Sequence, residues 1–105
     1  MEIRFDGKRA LVTGAGKGIG REIATLLAAC GARVVAVGRT AEDLASLARE
    51  TGAETIVADL GDPEAARAAA ERAGPIDLLV NNAGITILQP FLDVTTAAFD
   101  AIMAV

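Results

Sequence analysis

A chain of 105 residues with a formal net charge of −4, 52% hydrophobic residues and 3% aromatics has room for one domain and no separate substrate domain. With no His, Tyr or Trp and a single Cys, it excludes a His/Cys metal site, Ser-His-Asp and Cys-His nucleophile systems and a phenolic general acid within these residues. The acidic isoelectric point near 4.7 argues against nucleic acid as a partner, while the lone Cys30 and the charged start without any membrane-length apolar run point to a soluble cytoplasmic protein.

Short valine-rich runs alternate with alanine-rich helical stretches, the rhythm of a parallel sheet with uniformly buried strands and helices on both faces. The first strand, Arg9–Thr13, ends in glycines. A helix follows from about Gly18 to Cys30, with Ile23, Leu26 and Leu27 expected on its apolar face and Gly31 as its C-terminal cap. The second strand is Arg33–Val37. Thr40 is the expected cap of the next helix, with Asp43 completing a weak capping box and Leu44, Leu47 and Ala48 forming its stripe. Gly52 stops that helix, and a third strand runs from about Glu54 to Ala58. Asp62-Pro63 then reads as an N-cap followed by proline at the first helical position, with the helix ending at Gly74-Pro75. A fourth strand, Asp77–Val80, delivers the chain to Asn81-Asn82-Ala83-Gly84. After a loop containing Pro90, a last helix starts at Thr95 or Thr96 and carries Phe99, Ile102 and Met103; it reads as cut off inside the element, since no capping glycine or proline follows.

The strongest motif is Thr13-Gly14-Ala15-Gly16-Lys17-Gly18-Ile19-Gly20, between an apolar strand and an amphipathic helix. It is neither G-x-G-x-x-G nor a P-loop, but G-x-x-x-G-x-G preceded by Thr. Glycines let the backbone approach a pyrophosphate, and the helix start offers N–H groups and positive potential, so a phosphate at Gly18–Gly20 is well placed. The competing reading is a turn chosen only for tight packing. About twenty residues on, where a site for NAD carries an acid, the chain reads Val37-Gly38-Arg39-Thr40. Arg39 can offer planar donors to a 2′-phosphate and Lys17 a second positive charge, which favours NADP over NAD; taken singly, each is also an ordinary solvated charge. Asp59-Leu60 closes the third strand at the same sheet edge. Its carboxylate can accept from an adenine amino group or simply cap its own turn.

Together these residues resemble the classical short-chain dehydrogenases/reductases: the Thr-Gly-x-x-x-Gly-x-Gly motif at Thr13 to Gly20, the aspartate at Asp59, and Asn-Asn-Ala-Gly at Asn81 to Gly84. The stretches Val12–Arg21 and Leu88–Leu92 are similar to the dicarbonyl/L-xylulose reductase branch. The resemblance implies a half Rossmann fold with strand order 3-2-1-4. It further implies that Gly14, Lys17, Gly18, Ile19 and Gly20 embrace the cofactor phosphates and adjoining riboses, that Arg39 and Thr40 meet the 2′-phosphate of NADP(H), and that Asp59 and Leu60 meet the adenine. Asn81, Ala83 and Gly84 would line the adenosine side and brace the sheet. The family's Ser and Tyr-x-x-x-Lys are absent, and Ser46, on the second helix, lies away from the cofactor edge. The expectation is therefore an NADP(H)-binding half of a reductase of small dicarbonyl or ketose compounds, catalytically inactive alone. The alternative expectation is a self-associating half-fold unit, a homodimer through the edge of the fourth strand or the last helix, because in the family a further strand pairs beside the fourth.

Overall fold

A computed structural model describes residues 3–82. Ala83, Gly84, the loop with Pro90 and the expected last helix lie outside the described residues. In chain order the elements are β1 (Arg9–Thr13), α1 (Gly18–Ala29), β2 (Arg33–Gly38), α2 (Ala41–Thr51), β3 (Glu54–Val57), α3 (Pro63–Ala73) and β4 (Leu78–Asn81). The strands form one parallel sheet in the order β3-β2-β1-β4, as the alternation and the resemblance imply.

Successive strand residues point to opposite faces, and the core splits accordingly. Leu11, Val35 and Val37 join Ile56 and the alanines of α3 on one face. Val12, Val34 and Ala36 join Ala24 of α1 and Leu44 and Leu47 of α2 on the other. Helix α3 buries Ala66, Ala69, Ala70 and Ala73, a stripe of small side chains at helical spacing that brings the helix axis close to the sheet. The chain moves outward from β1 to β3 with α1 and α2 on one face, then returns to the other side of β1 with α3 on the opposite face. The order therefore reverses between β1 and β4, and in sheets of this kind ligands bind beyond the carboxyl ends of the strands near such a reversal.

Several local expectations need correction. Leu26 is exposed, at 64% of its accessible surface: α1 sits on the sheet through Gly20 and Ala24, one turn apart, and two residues beyond Ala24 the wheel points away. The same helix ends at Ala29, one residue before the expected Cys30, and Gly31 caps it as expected: at φ +94° its N–H reaches the Ala28 carbonyl while the Ala32 N–H reaches that of Leu27, both at 3.0 Å. Thr40 occupies the N-cap of α2 but its side chain makes no capping bond. The strands are not uniformly buried either. β1 and β2 are buried after their leading arginines, β3 is an edge strand with Ile56 inward and Val57 outward, and β4 is half-buried. Small boundary shifts extend β2 to Gly38, end β3 at Val57 and move β4 on by one residue.

The Asp62-Pro63 start of α3 forms as its residues dictate: Asp62 Oδ1 accepts from the Glu64 N–H at 3.0 Å. At the far end of that helix Arg9 donates to the carbonyl of Ala73 at 2.7 Å and that of Pro75 at 3.2 Å, placing a cation on the negative end of the helix. Among the described residues no helix is long and apolar enough to cross a membrane.

Candidate functional site

At the carboxyl edge of the sheet, β1 and β4 are joined by one buried hydroxyl. Thr13 is fully buried and stands opposite Asn81 in the register. Its Oγ1 donates toward Asn81 Oδ1 at 3.1 Å, with the Val80 carbonyl at 3.4 Å, and accepts the Asn82 N–H at 3.0 Å. Asn82 in turn donates from Nδ2 to the Gly14 carbonyl at 3.4 Å. The asparagines after β4 thus tie that strand to the start of the glycine loop, a bracing role that accounts for Asn81 and extends to Asn82.

The loop needs its glycines for distinct reasons. Gly14 and Gly18 have φ of +63° and +58°, where an L side chain is strained. A Cβ on Gly20 would overlap the Gly14 carbonyl and come within 2.7 Å of Asn82 Nδ2, so only glycine lets α1 start this close to the end of β1. A Cβ on Gly16 would lie 3.0 Å from Asp43 Cβ, so this position admits the first turn of α2. Lys17, the N-cap of α1, makes no side-chain capping bond, and the first-turn N–H groups lack intrahelical acceptors by construction. Gly18, Ile19 and Gly20 open that turn, with Ile19 pointing outward and Gly20 buried.

Beside the loop lies an open cleft of about 160 Å³. Gly14, Gly16 and Lys17 form one wall, and Gly38, Arg39 and Thr40 from the end of β2 form the other, with Asp43 of α2 between them. The structure thus brings Lys17, Arg39 and Thr40 to one place. Lys17 Nζ lies 3.7 Å from Asp43 Oδ2. Arg21 fastens the loop to α2: its guanidinium donates to the carbonyls of Gly16 at 3.4 Å and Asp43 at 3.2 Å and to Ser46 Oγ at 2.9 Å, and pairs with Glu50 at 3.1 Å. Ser46 is accordingly a packing partner of Arg21.

Asp59 follows β3 at the same edge, but its Oδ1 accepts the Gly61 N–H at 3.0 Å, and its carbonyl accepts from Asp62. The turn-capping role of this carboxylate is the one the geometry exhibits. Leu60 buries its side chain in the α3-side core, leaving its backbone as the part able to meet a base. Ala83 and Gly84 lie outside the described residues. Sequence reasoning passed over Gly16, Gly38, Arg21 and Asp43 as parts of this site. Two of them carried a signal: Gly16 by lying within the glycine-rich motif, and Gly38 as a glycine closing a valine-rich strand, which marks close approach of another part of the chain. Among the described residues no group of His, Cys, Asp or Glu is placed to hold a metal ion.

The residues fit a dinucleotide at its phosphate-bearing end: a glycine cradle that Cβ atoms would fill, a helix N-terminus, and two cations converging on one cleft. The profile of the family described as short chain dehydrogenase matches residues 8–105. The chain is 60% identical over 101 residues to the L-xylulose reductase of Bos taurus, covering 95% of this chain and 41% of that protein. It is 56% identical over 101 residues to the Sus scrofa protein named carbonyl reductase (NADPH) 2, with the same coverage of each. The solved structure of L-sorbose reductase from Gluconobacter frateurii, complexed with NADPH and L-sorbose, superposes with a TM-score of 0.82 at 26% identity, over 97% of this chain and 51% of that one. The chain spans about two-fifths of the length of the curated relatives it matches. A strand-loop-helix glycine cradle, the β3-β2-β1-β4 sheet and a profile match over nearly all residues place this chain in the short-chain dehydrogenase family.

Proposed function

We propose that this chain is the NADPH-binding portion of a reductase acting on a small carbonyl or ketose substrate. One observation carries the cofactor choice: Lys17 and Arg39 line a single cleft, and the residue after β2 is an arginine where an acid would serve NAD. In this reading the glycine loop and the first turn of α1 receive the pyrophosphate, Arg39 and Thr40 meet the 2′-phosphate, and Lys17 adds a point charge from the loop side. The bound nicotinamide would supply hydride. The residues of this chain bind and orient the cofactor; with no tyrosine among them, they contribute no phenolic proton donor, and the chain alone is expected to be inactive. The names of the relatives, L-xylulose reductase and carbonyl reductase, support the substrate class.

The test is titration of the intact protein with NADPH and NADH, followed by assay of NADPH oxidation with L-xylulose and a small dicarbonyl. Tight NADPH binding and weaker NADH binding are expected, with consumption of either substrate only where residues outside this chain supply the proton donor. No binding, or equal affinity for both cofactors, overturns the cofactor assignment. A second reading is self-association through the side of β4 away from β1, supported by half-buried Leu78, Leu79 and Val80. Sedimentation of the intact protein as a monomer at micromolar concentration refutes it.

A further inference from the structure

The cleft that holds the two cations is also lined by a carboxylate with no part in the cofactor reading. Asp43 belongs to the first turn of α2, lines the cleft with Lys17 and Arg39, and pairs with Lys17 at 3.7 Å. The two partners differ in freedom. The Lys17 side chain is 80% exposed and can swing, whereas that of Asp43 is 29% exposed and short, on a backbone that is held. Arg21 grips the Asp43 carbonyl, Gly16 has no side chain to keep Asp43 away, and the next residue, Leu44, is locked in the core.

We propose that Asp43 is a specificity-determining residue that limits the preference of this cleft for a 2′-phosphorylated cofactor, by neutralising Lys17 and repelling the phosphate. The inference rests on the NADPH reading. Formal charge in the cleft is two cations less one anion, so a phosphate near two negative charges is only partly compensated. Lys17 exchanges Asp43 for phosphate on binding, and the carboxylate stays where it was. NADH, with a 2′-hydroxyl, meets neither the cation nor the repulsion to the same degree. A carboxylate and a phosphate sharing a partly solvated cleft repel enough to change affinity by about tenfold, and salt at about 1 M removes most of that.

Asp43→Asn in the intact protein tests this, with Kd measured for NADPH, NADH and adenosine 2′,5′-bisphosphate. Binding of NADPH and of the bisphosphate is expected to tighten about tenfold at low salt while NADH changes by less than about twofold, and Asp43→Glu is expected to resemble the parent. Acidic residues in a first helical turn also favour the helix dipole; that role alone would move the melting temperature and leave the NADPH/NADH ratio unchanged. Asp43→Ser provides the same charge removal should the asparagine variant fold poorly. An unchanged ratio, or weaker NADPH binding in the neutral variants, overturns the inference while leaving the NADPH reading intact. A parent protein with no preference for NADPH overturns both.

Discussion

The hydroxyl of Thr13 is expected to matter more than its methyl group, and replacing each in turn separates them. Thr13→Val keeps the shape and removes a donor to Asn81 Oδ1 at 3.1 Å and an acceptor for the Asn82 N–H at 3.0 Å. Each lost bond to a group that then finds no other partner costs about 1–3 kcal/mol. Asn82 is exposed and its N–H can turn to water, whereas Asn81 is half-buried, so the total belongs near the low end, about 2 kcal/mol. Thr13→Ser keeps both bonds and loses one buried methyl, worth about 1 kcal/mol. Denaturant unfolding of the intact protein should therefore rank parent, serine, valine in falling stability. Because Asn82 also reaches the Gly14 carbonyl, the valine variant loosens the root of the glycine loop, and its NADPH affinity should fall severalfold while that of the serine variant stays near the parent. A valine variant as stable as the serine one, with unaltered NADPH binding, would refute the view that this hydroxyl couples β4 to the loop.

Gly20→Ala sets a Cβ against the Gly14 backbone carbonyl; overpacking against backbone costs about 1–3 kcal/mol or more, so thermal melting should drop and NADPH titration should show little or no binding. In the NADPH reading Arg39→Ala removes charge-assisted bonds to the 2′-phosphate, worth about 1.5–3 kcal/mol, so NADPH affinity should fall by about tenfold or more with NADH nearly unaffected, checked by calorimetry. The Asp6 carboxyl is held below its ordinary value by hydrogen bonding from Arg4, at 2.8 Å. A depressed carboxyl stabilises fully above its unfolded value and loses that contribution as pH falls through the folded one. The stability difference between parent and Asp6→Asn should therefore shrink on acidification below the usual carboxylate range, a small effect for so exposed a pair.

What the sequence disclosed followed from local rules. Asp62-Pro63 reads as a helix start because cap and ring act within a few residues of each other, and the glycine loop is legible because strand, turn and helix adjoin. Leu26 misleads for a reason a wheel drawn from hydrophobicity cannot contain: α1 approaches the sheet by its smallest residues, so Gly20 and Ala24 define the buried face. Thr40 looked like a side-chain cap but supplies only its N-cap position, since the hydroxyl makes no capping bond. Arg21, Asp43, Thr13 and Asn82 act across gaps in sequence that no local pattern spans. Arg21 meets residues of α2, and Thr13 meets the end of β4. These contacts exist only after the parallel sheet has set its register.

That register also explains why an acid stands in the cleft lined by Lys17 and Arg39. A Cβ on Gly38 would approach Leu44 Cδ2 to 3.3 Å, and one on Gly16 would approach Asp43 Cβ to 3.0 Å, so the absent side chains of these glycines admit the first turn of α2 against β2 and the loop. Leu44 is fully buried in the core cluster with Val12 and Ala24, and exposing such a side chain costs about 1.5–3 kcal/mol. Withdrawing Asp43 from Lys17 by moving the backbone would pull its neighbour Leu44 out of that core. The backbone that carries the carboxylate is therefore pinned by packing, and in this cleft the longer and more exposed partner, Lys17, is the one with more freedom to change what it faces.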